Sequence, residues 1–286
     1  MLLALDVGNT QTVVGVFDEL RFDVAGARID GEIPGLLHHW RIATLRDRTP
    51  DELALVVRGL TALADLEMPM FGRKPHGDSS LPVIDGLAIS SSVPTQTAAL
   101  REMAARYFDA PCVVVEPGIK IGMPILYDNP REVGADRISN AVAALDLYPP
   151  PTIVVDLGTA TTFDAISAAG EYLGGAIVPG IEISMDALFD RAEALRRVEL
   201  REPRHAVGRT TVEAMQSGAI YGYAALVDGL CRRIEAELGA ATIVATGGLS
   251  SLISPHAEVV AHVEPWLTLH GLRLIYLRNV DGGAAL

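Results

Sequence analysis

Two short stretches of this 286-residue chain carry a carboxylate, a glycine and hydroxyl side chains in the same order: Asp6-Val7-Gly8-Asn9-Thr10 and Asp156-Leu157-Gly158-Thr159. A glycine turn between two strands lets backbone N–H groups approach a phosphate, and a carboxylate at the strand end can hold a metal ion bound to that phosphate. Read singly, each Asp-x-Gly is a plain hairpin turn held by an Asx-turn. The pair says more. Superposing Asp6 on Asp156 also brings Gly8 onto Gly158 and Thr12 onto Thr162, an offset of 150 residues, about half the chain. Internal duplication accounts for the offset. Two such turns, both rich in threonine, could clamp a polyphosphate from opposite sides of an interdomain cleft.

Other phosphate-binding designs are missing. There is no GxxxxGK[ST], and no GxGxxG leads from a strand into a helix. Only Lys74 and Lys120 are lysines, so the charge of a terminal phosphate must be met by Mg²⁺, backbone amides, threonine hydroxyls and arginine.

The elements that would position these turns follow from periodicity. Residues 2–5 and 12–17 read as strands around the first turn, followed by a helix over 50–67 that starts at Thr49-Pro50-Asp51-Glu52. A strand at 83–90, an alanine-rich helix at 95–107 and a strand at 112–115 complete an α/β half. The second half opens near 120 and repeats the theme, with strands at 152–155 and 162–166, helices at 183–196 and 211–238, and a strand at 242–246 before Gly247-Gly248. The long helix opens on Thr210-x-x-Glu213, a capping-box spelling. Stretches 23–36 and 69–82 interrupt the pattern and read as surface insertions. The domains expected are therefore 1–120 and 121–286.

Composition narrows the partners. Thirty-six acidic residues against 23 basic ones leave a formal charge of −13, which opposes binding to nucleic acid or to an anionic membrane. Aromatics at 5% provide few base-stacking platforms. No uncharged apolar run approaches about eighteen residues, so no membrane span is expected. Cys112 and Cys231 lack metal-ligand spacing and sit among apolar residues, as free buried thiols in a reducing cytoplasm do.

Eight segments together resemble the type III pantothenate kinases, members of the acetate and sugar kinase, Hsp70 and actin superfamily. They are Asp6–Thr10, Trp40-Arg41-Ile42 with Arg48-Thr49, Ser91–Pro94, Tyr127-Asp128-Asn129-Pro130, Gly134-Ala135-Asp136-Arg137, Val155–Thr162, Gly174–Ile177 and Glu213–Gly218. The resemblance covers nearly the whole chain. It implies an α/β protein of two ribonuclease-H-like domains related by duplication, a homodimer, and ATP-dependent phosphorylation of pantothenate as the first step toward coenzyme A. Another small-hydroxyl or sugar kinase of the superfamily, or a noncatalytic relative, would share many of these residues.

Carried over by motif, Asp6, Val7, Gly8, Asn9, Thr10, Gln11, Thr12 and Val13 would line the ATP phosphates, with Asp6 holding Mg²⁺. Asp156 resembles the carboxylate of a monovalent-cation site for K⁺ or NH₄⁺, Thr159 would face ATP, and Gly247 and Gly248 would leave room for the adenosine. Asp136 is the implied general base toward the pantothenate hydroxyl. By its position before Ile138, Ala141, Val142 and Leu145 it is equally a helix N-cap. Tyr127, Gly134, Ala135, Arg137 and Thr211 match substrate-binding positions. Tyr127 also fits ordinary turn chemistry, and Thr211 also fits a helix cap. The chain departs from the family pattern at Gly208-Arg209-Thr210-Thr211, where Gly-Lys-Asn-Thr is more usual, and at Ile183, where Thr is common.

Overall fold

The computed structural model describes residues 1–18, 31–68, 82–192 and 195–280. Its order of elements repeats. In the first half, strands β1 (Leu2–Val7), β2 (Gln11–Phe17) and β3 (Leu36–Ala43) are followed by helix α1 (Pro50–Ala62), strand β4 (Gly86–Ser91), helix α2 (Pro94–Tyr107), strand β5 (Cys112–Val114) and helix α3 (Ala135–Leu147). In the second half, strands β6 (Thr152–Leu157), β7 (Ala160–Ile166) and β8 (Tyr172–Pro179) precede helices α4 (Ile181–Arg191) and α5 (Thr211–Leu238). Strand β9 (Thr242–Thr246), the short helix α6 (Ser250–Ile253), strand β10 (His262–Val263) and helix α7 (Leu267–Val280) complete the chain.

Each half builds a five-stranded mixed sheet, ordered β3-β2-β1-β4-β5 and β8-β7-β6-β9-β10. The first three strands of each are antiparallel, and the last two run parallel to the first. The duplication expected from the paired turns is therefore present strand by strand.

Side-chain parity sets the layers, because alternate residues of a strand face opposite sides. In β1, Leu3, Leu5 and Val7 pack outward against Leu53 and Val57 of α1 and Leu100 and Met103 of α2. Leu2 and Ala4 face the other way, into a core shared with α3, α7 and the inner face of the second sheet, including Val154 and Val244. In β6, Ile153, Val155 and Leu157 pack outward against α5 through Ala219, Ile220 and Val227. Helices α3 and α7 thus lie between the two sheets, with α1 and α2 on one outside and α5 on the other. Their backbones cross closely: a side-chain carbon at Gly271 would lie 1.9 Å from the Ser139 carbonyl oxygen, so only glycine fits there.

Some expectations need correction. Helix α1 keeps its capping box, with Thr49 and Glu52 bonded reciprocally, but it stops at Ala62 rather than 67. The chain turns at Asp65, whose φ of 53° lies outside helical space. The helix expected at 183–196 spans Ile181–Arg191. Residues 31–36, assigned to an insertion, contribute the buried Ile33 and the start of β3; the rest of 23–36 and residues 69–81 lie outside the described residues. Cys231 is buried as expected, but Cys112 is exposed on β5.

Candidate active site

The parity that buries Leu2 and Ala4 in the shared layer also points Asp6 toward it, at the end of β1. Asp156 takes the same place at the end of β6. The turn after Asp6 is closed by the Gly8 N–H donating to the Gln11 carbonyl at 3.0 Å, and the turn after Asp156 by the Gly158 N–H donating to Ala160 at 3.1 Å. The two turns meet, with the Thr10 and Thr159 hydroxyl oxygens 2.8 Å apart. Between them and the end of β9 lies a cavity of about 380 Å³.

The duplication is not symmetric at this point. Val7 pairs with Thr12 in the first hairpin, whereas Leu157 pairs with Thr161 in the second, so the second turn is one residue shorter. The residue opposite Asp6 is Val13 and the residue opposite Asp156 is Thr162. The sequence alignment of Thr12 with Thr162 is therefore out of step by one.

Asp6, Gly8, Asn9, Thr10, Gln11, Val13, Asp136, Asp156, Thr159, Gly247 and Gly248 all line the cavity. Val7 does not; it is buried against α1 and α2. Nor does Thr12, whose hydroxyl pairs with that of Thr44 at 2.8 Å. Thr211 is the exposed first residue of α5, outside the cavity. The cap of α5 is Thr210, whose side chain accepts from the Glu213 N–H at 3.2 Å, while Glu213 reaches back to the Arg209 N–H at 3.0 Å.

Asp136 is not an N-cap either. Gly134 caps α3, Ala135 is the first helical residue, and Asp136 sits in the first turn. Its Oδ1 accepts the Arg137 N–H at 2.9 Å, where the positive end of the helix favours a carboxylate. Arg137 turns away from the cavity. Its Nε and Nη2 both lie 2.7 Å from Asp164 Oδ1, which also accepts from the Tyr172 hydroxyl at 2.7 Å. Tyr127 stands beside this buried group, 6.5 Å from the Tyr172 ring centre and against Gly174. Tyr127, Gly134, Ala135 and Arg137 therefore do not line the cavity.

The site is short of positive charge. Asp6, Asp136, Asp156 and Glu182 line it, and among the described residues Arg41 is the one basic side chain that does. Burial, reinforced by Asp136 and Asp156, pushes the Asp6 carboxyl up to about 8. Burial and Asp136 push Asp156 up to about 7. Among the described residues no three His, Cys, Asp or Glu side chains cluster as a metal site.

Several groups in the cavity wall or behind it have no role assigned from sequence. Asn140 of α3 donates to Asp156 Oδ2 at 3.0 Å and accepts from the Thr268 hydroxyl of α7 at 2.7 Å, which fixes the orientation of both the amide and the carboxylate. Ser92, Thr162, Glu182, Thr246 and Thr268 complete the wall. Arg41, Ser92 and Thr162 stood within motifs already noted, and recognising β3 would have placed Arg41.

The chain matches the family model of type III pantothenate kinases over residues 2–233. A type III pantothenate kinase of Streptomyces avermitilis is 52% identical over 98% of this chain and 99% of its own. One from Myxococcus xanthus is 49% identical over 98% and 99%. Among solved structures, the ROK hexokinase of Thermus thermophilus superposes with a TM-score of 0.50 at 12% identity, covering 96% of this chain and 97% of that one. That likeness concerns the fold, a duplicated two-lobed kinase architecture.

Proposed function

The chain belongs to the type III pantothenate kinase family and phosphorylates pantothenate, at the expense of ATP, in coenzyme A biosynthesis; from that premise we propose how its residues divide the work. The ATP polyphosphate lies between the turns at Gly8–Gln11 and Gly158–Ala160, bonded by their N–H groups and by Thr10 and Thr159. Asp136 accepts the proton of pantothenate's primary hydroxyl as that oxygen attacks the γ-phosphorus, and the bond to the β-phosphate bridging oxygen breaks to release ADP. The observation that carries this reading is that both turns and Asp136 border one cavity although they come from opposite halves of the chain.

Asp6 is the residue we assign to Mg²⁺, with phosphate oxygens and water completing the shell. Asp156, oriented by Asn140, is assigned to a monovalent cation, K⁺ or NH₄⁺. When bound, these ions neutralise phosphate charge that the acidic cavity would otherwise repel. Tyr127, Arg137 and Gly134–Ala135 are assigned to pantothenate on the family resemblance alone, since none of them lines the cavity.

A homodimer is supported by an apolar outer surface. Ile177 on β8 is 62% exposed, and Ile183 and Leu188 of α4 and Val212 of α5 are exposed as well. A side-chain carbon at Gly218 or Gly222 of α5 would meet nothing within 4 Å, so internal packing does not explain these glycines. Thr211 lies on the same end of α5 and is assigned to the partner's substrate site. The cytoplasm is the location we infer. Among the described residues no helix is long and apolar enough to cross a membrane.

An assay of ADP formation with Mg²⁺ and K⁺ tests the reading. Turnover that requires pantothenate is expected, and a sugar that outcompetes pantothenate would transfer the protein to another branch of the superfamily.

A further inference from the structure

Arg41 extends from β3 in the first lobe into a cavity that carries four carboxylates, yet among the described residues it forms no ion pair with any of them. Its Nη1 donates to Gln11 Oε1 at 2.9 Å, and its guanidinium lies 5.7 Å from the centre of the ring of Trp266, the residue just before α7. The His39 ring, two residues before Arg41 on β3, is stacked on Trp266 at 4.0 Å between centroids. The far wall is Gly248, just after β9. A side-chain carbon there would stand 2.8 Å from Arg41 Nη1 and 3.7 Å from Gln11 Oε1.

A guanidinium has five N–H donors in a planar fork. The Gln11 bond uses one, so most of the fork is free and aimed into the space that the two turns enclose. We propose that Arg41 binds the polyphosphate of the nucleotide, held in place by Gln11 and Trp266, and that Gly248, after β9 of the second sheet, lacks a side chain so that the guanidinium can lie across the cleft. This rests on the assignment of the cavity to the nucleotide. The polyphosphate, rather than the carboxylate of pantothenate, is the anion favoured, because Arg41 neighbours the first phosphate turn through Gln11, whereas Tyr127 and Arg137 lie apart beside α3. Bidentate contact of a guanidinium with phosphate oxygens is strong and geometrically selective.

The test uses the full chain with Arg41→Met, Gly248→Ala and the double variant, measuring KM for ATP, KM for pantothenate, kcat and thermal unfolding. Arg41→Met is expected to raise KM for ATP about tenfold, the loss of one charge-assisted contact, with KM for pantothenate unchanged. Gly248→Ala meets only the flexible end of Arg41, so it is expected to raise KM for ATP in the same direction while leaving the unfolding temperature in place. The double variant is expected to be no worse than Arg41→Met alone, because both substitutions act through one contact. A KM for ATP within twofold of wild type in Arg41→Met overturns the proposal. So does a rise confined to pantothenate, or a double variant whose effects multiply. Binding of a nonhydrolysable Mg²⁺–ATP analogue to the wild type, followed by calorimetry, separates this from the wider reading: no binding at all removes the nucleotide assignment and the proposal together, whereas equal binding by wild type and Arg41→Met removes only the proposal.

Discussion

The hydroxyls of Thr10 and Thr159 lie 2.8 Å apart although the residues belong to different lobes. Each sits in a turn that borders the cavity, so the two turns touch at its edge. Thr159→Val keeps the shape and removes the hydroxyl. The contact is exposed, so stability should change by less than about 0.5 kcal/mol. A hydrogen bond to nucleotide is worth about 0.5–1.5 kcal/mol, so kcat/KM for ATP should fall about threefold to tenfold in steady-state titrations. An unchanged kcat/KM would take Thr159 out of nucleotide binding.

Asp136→Asn tests the proton acceptor. Loss of a general base costs about 10²–10⁴-fold in rate, so kcat should drop by that much while binding of a Mg²⁺–nucleotide analogue persists. The free protein should also become more heat-stable, because Asp136 adds to the repulsion felt by Asp6 and Asp156. A variant that turns over normally would place the base elsewhere.

The raised carboxyls set a pH dependence. Asp6 is held at about 8 against an ordinary 3.8, and Asp156 at about 7. In the folded, nucleotide-free protein they retain protons that the unfolded chain has released, so folding takes up protons between these limits. Stability from these two groups is therefore full below about pH 4 and declines as pH rises toward 8. Unfolding temperatures measured from pH 5 to 8 should fall more steeply in wild type than in Asp6→Asn or Asp156→Asn. Parallel curves for all three proteins would show that the carboxyls are not strained in this way.

Gly247 and its neighbour Gly248 should respond differently to alanine. Gly247 has φ +91°, and an added carbon would lie 2.5 Å from Asp156 Oδ1 and 2.6 Å from the Leu157 backbone. Gly247→Ala is expected to lose about 1–3 kcal/mol from backbone conformation alone, with close contacts adding to it, visible as a fall of several degrees in thermal unfolding. Equal unfolding temperatures for the two alanine variants would contradict this.

The pair Arg137–Asp164 lies under the site with almost no solvent contact. Arg137→Leu strands a buried carboxylate, and breaking such a pair costs about 3–5 kcal/mol. Removing both charges in Arg137→Leu/Asp164→Leu should recover part of that loss in denaturant titrations. Any activity change in the single variant must accordingly be compared at matched folded fraction.

How far the sequence reveals this arrangement depends on how local the signal is. The β-hairpins announce themselves through apolar runs and glycine turns, and α5 begins and ends at Thr211 and Leu238, as its cap and periodicity imply. Strand β3 is less legible because its residues alternate between half-buried and exposed, with His38, His39 and Arg41 in the middle and no fully buried face. Helix α7 is obscured for the opposite reason. Leu269, Leu272, Ile275 and Tyr276 are buried, as are His270 and Arg273, because the helix lies between two sheets and shows no single apolar stripe. Thr268 of α7 is hidden with its helix, and Arg41, although within a motif, carries no role in the sequence because β3 does not announce itself. The one-residue slip between the hairpins depends on strand pairing, which no fixed offset along the chain can report.

That missing residue has a directional meaning. A perfectly duplicated cradle would have a dyad between its loops, and a dyad cannot tell the head of an elongated guest from its tail. With four residues on one side and three on the other, the two lips differ in reach, so a guest lying between them as proposed would meet an oriented slot, one end distinguished from the other before any chemistry begins.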